Sequence, residues 1–182
     1  KKHLMSSIFQ RRNIPFYQFG DTIFLKRLTT EEWTTYIISH FEQYNRHITK
    51  KQANQICTLV DHYSAYVQQL SWIIFTSMKE GDTVTDELIS KALDDLIDSN
   101  ELLFMQQTES LTTYQMNFLR AIVSGIHQDF GEREIREGYD LGSSSNIARL
   151  KKALISKDLV DTDGRKLTIT DPVFSVWFKR KG

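Results

Sequence analysis

Residues 159–178 read LVDTDGRKLTITDPVFSVWF. Two short runs rich in β-branched residues, 159–161 and 166–170, flank Asp163-Gly164. That pair accepts positive φ, so it predicts a tight β-hairpin. Asp171-Pro172 comes next: a carboxylate suited to a helix N-cap, then a proline whose φ is preset for the first helical position. Phe174, Trp177 and Phe178 share one face of that helix at i, i+3 and i+4. Each brings about 150–250 Å² of surface to bury. The aromatics are therefore expected to close a thin core, in their own domain or against an adjacent one, rather than to wait for an external partner.

Immediately upstream, the pattern is helical. Thr112 and Gln115 fit a capping box, with Leu111 and Met116 placed to staple across it. Met116, Leu119, Ile122, Val123 and Ile126 mark an inner face. Residues 132–137 support a short second helix broken by Gly138. Ser143 caps a third, with Ile147, Leu150, Leu154 and Ile155 inward. Three helices and a hairpin in this order predict a winged helix-turn-helix over 109–182.

Residues 29–108 read as a helical bundle. Capping boxes open at Thr29/Glu32 and Thr49/Gln52. Trp33, Tyr36, Ile37, Phe41 and Tyr44 follow the first at helical spacing, and Ala53, Ile56 and Val60 follow the second. A third helix from about residue 64 carries Val67, Leu70, Ile74 and Met78 and is expected to end near Gly81. A fourth begins after Val84-Thr85, with Val84 and Ile89 as its staple. A separate fifth is expected over 101–107. The fold class is thus mainly α: a helical bundle, then a winged helix with one short hairpin.

Composition sets the outer bounds. The 182 residues contain eight Gly and two Pro, little material for an all-β fold. Cys57 is the only cysteine. That excludes an intrachain disulfide and a Cys-based zinc site, and points to a reducing, cytoplasmic setting. No apolar run reaches the length of a membrane-spanning helix, so no membrane partner is expected. The zero net charge hides an asymmetry: residues 82–109 carry eight acidic side chains and one basic, whereas 1–29 and 110–182 are net basic.

The stretch LGSSSNIARLKKALISKDLV, the hairpin, and DPVFSVWFKR together resemble the C-terminal end of the archaeal-type AAA+ ATPases, a STAND-like group also common in Bacteroidetes. Asp171, Pro172, Phe174 and Trp177 stand where that family closes with Asp-Pro-x-Phe-x-x-Trp. Residues 1–28, with His3-Leu4-Met5, Ile8-Phe9 and Pro15-Phe16-Tyr17, resemble the end of the ATPase core. Residues 62–70, HYSAYVQQL, resemble the lid helix, with Gln68 and Gln69 near its glutamine but without its Gly and Pro.

The resemblance implies a remnant of the core over 1–28, a helical lid over 29–108 and a winged helix over 109–182. It also implies ATP and Mg²⁺ for the full-length protein and the ATPase core as a partner. The sequence contains no Gly-x-x-x-x-Gly-Lys-Ser/Thr loop and no apolar strand ending in paired acids, so no cofactor and no enzymatic activity are expected of these residues themselves. The implied function is a non-catalytic C-terminal region in which the lid couples nucleotide state to a winged-helix adaptor or switch. The alternative is a free-standing DNA-binding transcription regulator.

Candidate site residues lie on the third helix of the winged domain and its hairpin. With the apolar face inward, Ser144, Ser145, Asn146, Arg149 and Lys152 should face out, where Arg and Asn can read base edges. Lys157, Arg165 and Lys166 could reach phosphates. The same face could instead meet a protein partner or the chain's own lid or core, and the modest net charge favours that reading. No aromatic platform for single strands is evident. The acidic residues Asp94, Asp95 and Asp98 read chiefly as a solvated helix face. They could also meet a metal, a basic partner, or the basic winged helix, in which case salt should loosen the two modules. His40, His47, His62 and His127 have no metal-ligand spacing.

Overall fold

The computed structural model describes residues 28–182. The stretch read as a core remnant lies, but for Leu28, outside the described residues. Four helices come first: α1 (Thr30–Gln43), α2 (Lys50–Leu59), α3 (Ser64–Thr76) and α4 (Asp86–Glu109). Three more follow, α5 (Thr113–Val123), α6 (Arg133–Gly138) and α7 (Ser144–Ser156), then strands β1 (Val160–Asp163) and β2 (Lys166–Ile169), and last α8 (Pro172–Lys181). Among the described residues the fold is mainly α, with one antiparallel hairpin in the order of a winged helix. Among the described residues no helix is long and apolar enough to cross a membrane.

The helix starts are written locally. Thr29, Thr49 and Thr112 each accept a hydrogen bond from the N3 backbone, while Glu32, Gln52 and Gln115 reach back to the cap. The Thr29 backbone N–H, followed by its hydroxyl, holds the Glu32 carboxyl below the usual range. The staple residues Val84 and Ile89 are both buried. The ends use an unexpected device. Asn45, Asp61, Asp140 and Asp158 take positive φ after α1, α2, α6 and α7. In each case the next backbone N–H returns to the carbonyl five residues earlier, as in Arg46 to Phe41 and Leu159 to Leu154. These are Schellman closures built on Asn and Asp instead of Gly.

Three elements differ from the sequence reading. The fourth and fifth helices are one continuous 24-residue helix, α4. Ser99 and Asn100, which could have capped a new start, both turn their side chains back onto the Leu96 carbonyl. The helix α3 ends at Thr76, short of Gly81. The Thr76 and Ser77 hydroxyls donate to the Trp72 and Ile73 carbonyls, and the following loop pairs with the α1–α2 loop. His47 N–H donates to Asp82 O at 2.9 Å and Val84 N–H to His47 O at 2.8 Å, with Gly81 N–H on Asn45 O. The hairpin loop is Gly164-Arg165, one residue later than expected, because Asp163 pairs with Lys166. Only Gly164 of the two has positive φ, the signature of a loop with glycine first.

One apolar core runs through both groups of helices, from Trp33 to Phe178. Its link is Phe104, fully buried on α4, whose ring meets Phe174 edge-on and Trp177 at a tilt, both at 5.5 Å between centroids. Of the expected faces, Trp33, Ile37 and Phe41 are buried, but Tyr36 and Tyr44 are about half exposed.

Removing the Phe104 ring should open a cavity at the meeting point of α4 and α8. Phe104→Ala is expected to cost about 3–5 kcal/mol in urea unfolding. The loss should appear as one earlier transition for the whole chain, and early melting of the winged helix alone would contradict the shared core.

Candidate functional site

The site begins with the terminal helix, because α8 decides what the winged helix leaves open. One Asp171 carboxylate does two jobs. Its Oδ1 accepts from the backbone N–H of Val173 and Phe174 at 2.9 and 3.0 Å, which caps α8. Its Oδ2 accepts the Tyr66 hydroxyl of α3 at 2.6 Å. Burial, and then the carboxylate beside it, push the Tyr66 phenol well above its ordinary value. Val173, Phe174, Trp177 and Phe178 are buried. Further along, Arg180 donates to Asp94 at 2.7 Å and Lys181 to Glu101.

The acidic stretch on α4 is therefore in part the electrostatic complement of the basic end of the winged helix. Lys181 holds the Glu101 carboxyl low and is itself raised by it. Both pairs are well exposed and contribute little beside the aromatic contact.

With α8 against the bundle, α7 packs on α5 and β1, and its outer side stays open. Of the predicted residues, Ser144, Arg149 and Lys152 are exposed along α7, and Arg165 and Lys166 are exposed at the hairpin tip. The other two are occupied. Asn146 is half-buried and donates to the Leu141 carbonyl at 3.0 Å, closing the turn before the helix. Lys157 donates to the Ser110 hydroxyl at 3.1 Å, tying the end of α7 to the end of α4. Ser143 sits at the N-cap, but its hydroxyl meets Ser145 rather than the backbone. The exposed set is thus a strip of four basic groups on α7 and the wing, with Asp158, Asp161 and Asp163 beside it.

Sequence reasoning found Asp171 as a cap and missed its second role, since Tyr66 lies 105 residues away. It also missed His127, a loop residue that bonds to β2 through both its backbone and its ring. Its carbonyl accepts Leu167 N–H at 2.8 Å, and its Nδ1 donates to the Leu167 carbonyl at 2.9 Å. That fixes the tautomer with Nδ1 protonated.

Beside it, a groove of about 320 Å³ lies between the end of α2 and the winged helix. Leu59, Ile122, Val123, Ile169 and Pro172 line it, with His127 among its polar groups. Among the described residues no Lys or Arg lines the groove, so it offers no side-chain cation to the phosphates of a nucleoside triphosphate.

A family model described as "Probable winged helix domain" matches residues 102–180. No curated protein matches the chain. Among solved structures, the Walker-type ATPase PABY2304 of Pyrococcus abyssi is similar at TM-score 0.68 and 15% identity. The similarity covers 98% of this chain and 49% of that one, so the chain spans about half of that protein's length. At this identity the likeness is one of fold. Residues 102–180 are a winged helix, carried in an arrangement that a Walker-type ATPase also has. Neither finding favours a free-standing DNA-binding regulator.

Two measurements check the Asp171 joint. Asp171→Ala removes a cap and leaves a half-buried phenol without its acceptor, and should cost about 1–3 kcal/mol. Tyr66→Phe should cost less, and the double variant should cost less than the sum. In an alkaline titration, Tyr66 should stay protonated past the ordinary value of 10.0. Its folded value lies above its unfolded one. Its contribution is therefore complete below that ordinary value and is lost as pH rises toward the folded value, a loss that Tyr66→Phe should remove.

Proposed function

We propose that this chain is the non-catalytic C-terminal region of a Walker-type, AAA+/STAND-like ATP-binding protein. In this reading residues 29–108 are the lid over a preceding ATPase core, and residues 109–182 are a winged-helix adaptor carried by the lid. The observation that carries the reading is the joint along α4 and α8: Phe104 against Phe174 and Trp177, with the Tyr66–Asp171 hydrogen bond beside it. A lid that moves with nucleotide state can transmit that movement only if the winged helix is fixed to it. The fold likeness to half of a Walker-type ATPase supports the same reading.

ATP and Mg²⁺ would be held by the core. Among the described residues no lysine or arginine lines the groove to meet a triphosphate, and the residues of this chain would turn the lid's movement into a displacement of the winged helix. The open strip of Ser144, Arg149, Lys152, Arg165 and Lys166 would then be the surface displaced toward a protein partner. Asn146 and Lys157 would hold that strip in place through Leu141 and Ser110. The setting would be the cytoplasm.

Hydrogen exchange on the full-length protein tests this reading. A non-hydrolysable ATP analogue should change protection in α1–α4 and in the wing together, and Phe104→Ala should abolish the change in the wing while leaving nucleotide binding intact. An encoding frame without an upstream phosphate-binding loop would contradict the reading. So would protection that changes in the bundle and never in the wing.

A further inference from the structure

The outward face of α4 changes character along its length. Residues 91, 95, 98, 102, 105, 106 and 109 recur at three- and four-residue steps and share one stripe. Its side chains are Lys91, Asp95, Asp98, Leu102, Met105, Gln106 and Glu109. The opposite side holds Leu93, Leu96, Ile97 and Phe104 in the core. In mid-stripe, Leu102 is 69% exposed and Met105 54%, with Leu103 on the flank at 50%. Three large apolar side chains in four positions, facing water at the meeting point of bundle and winged helix, form an interaction patch rather than a scattered exposure. Phe104, the remaining residue of that run, is fully buried, so the exposed three belong to a helix whose orientation its own core has fixed.

Charge identifies the occupant. Among the described residues Arg180 pairs with Asp94 and Lys181 with Glu101, and Lys181 also feels the charge of Asp98. Asp95 and Asp98 lie on one side of the apolar patch and Glu109 on the other, all exposed. A second copy of this chain packed antiparallel across Leu102 would bring Asp95 and Asp98 toward the partner's Glu109, like charge against like. A helix with apolar residues at i, i+3 and i+4 and Lys or Arg on both flanks would satisfy patch and carboxylates at once. Met105, unbranched and polarizable, suits an irregular partner surface.

We propose that the C-terminal half of α4 is a docking site for a basic amphipathic helix of a partner protein, centred on Leu102 and Met105 and bounded by Asp95, Asp98 and Glu109. The proposal does not depend on the ATPase reading. It needs only the folded α4 and α8.

A Lys/Leu amphipathic helical peptide is the probe, and a Glu/Leu peptide of the same pattern is its control, with binding read by titration against the chain. The Lys/Leu peptide should bind and the Glu/Leu peptide should not. Leu102→Gln with Met105→Gln should weaken binding about tenfold or more, and Asp95→Asn with Asp98→Asn should lower it and flatten its salt dependence. Trp72→Gln, at an exposed position on α3, should leave binding unchanged. Binding that survives the Leu102/Met105 change would overturn the proposal, as would equal affinity for both peptides. Concentration-dependent self-association that Leu102→Gln abolishes would assign the patch to a second copy. Protection of Met105 from oxidation in the full-length protein without added peptide would assign it to the protein's own polypeptide.

Discussion

The packing of Phe104 against Phe174 and Trp177 is the contact on which the rest of the architecture depends. It joins a helix of the bundle to the last helix of the winged domain, and it is apolar and buried. Burial of aromatic surface is not weakened by charge screening, whereas the exposed pairs Arg180–Asp94 and Lys181–Glu101 at the rim are screened by salt. The winged helix is therefore fixed by its core, and the charges around the joint orient it. The carboxylate of Asp171 adds direction. By capping α8 and accepting from Tyr66, it ties the start of that helix to α3 at one defined point.

What remains open follows from what the joint covers. Since α8 is spent on the bundle, the outer side of α7 and the hairpin tip are the surfaces the winged helix can present. They carry Arg149, Lys152, Arg165 and Lys166, but also nearby aspartates. Such mixed charge suits a protein surface better than a phosphate backbone, whose affinity rests on accumulated cations. On the other side, the same long helix that holds the winged domain exposes Leu102 and Met105 beside the exposed Asp95, Asp98 and Glu109. One element thus fixes the domain on its inner side and offers a contact surface on its outer side.

Much of this was legible in the sequence because it is local. The boxes at Thr29, Thr49 and Thr112, the staple at Val84 and Ile89, and the Asp171-Pro172 start are decided within a few residues, and each appears as read. Helix ends were harder. The search for Gly led to Gly81, which lies in a loop, while Asn45, Asp61, Asp140 and Asp158 closed α1, α2, α6 and α7. Ser99 and Asn100 resemble a cap in sequence and act as back-bonding side chains in place. Long-range partners left no local signal. Nothing near Tyr66 announces Asp171, and nothing near Asn146 announces the carbonyl that occupies it. The candidate strip on α7 was legible by helical phase, but which members were free depended on the turn and on Ser110.

The central claim is that bundle and winged helix move as one body held by apolar contact. Pulsed electron–electron distance measurement between spin labels at Asn54→Cys on α2 and Asp163→Cys on β1 tests it directly, with the buried Cys57 replaced by Ala to leave only the two labelled sites. The account predicts one narrow distance distribution, unchanged as the Debye length falls from about 10 Å to about 3 Å and broadened by Phe104→Ala. A second population that grows with salt in the unmutated protein would show that charge, not the aromatic core, holds the two together.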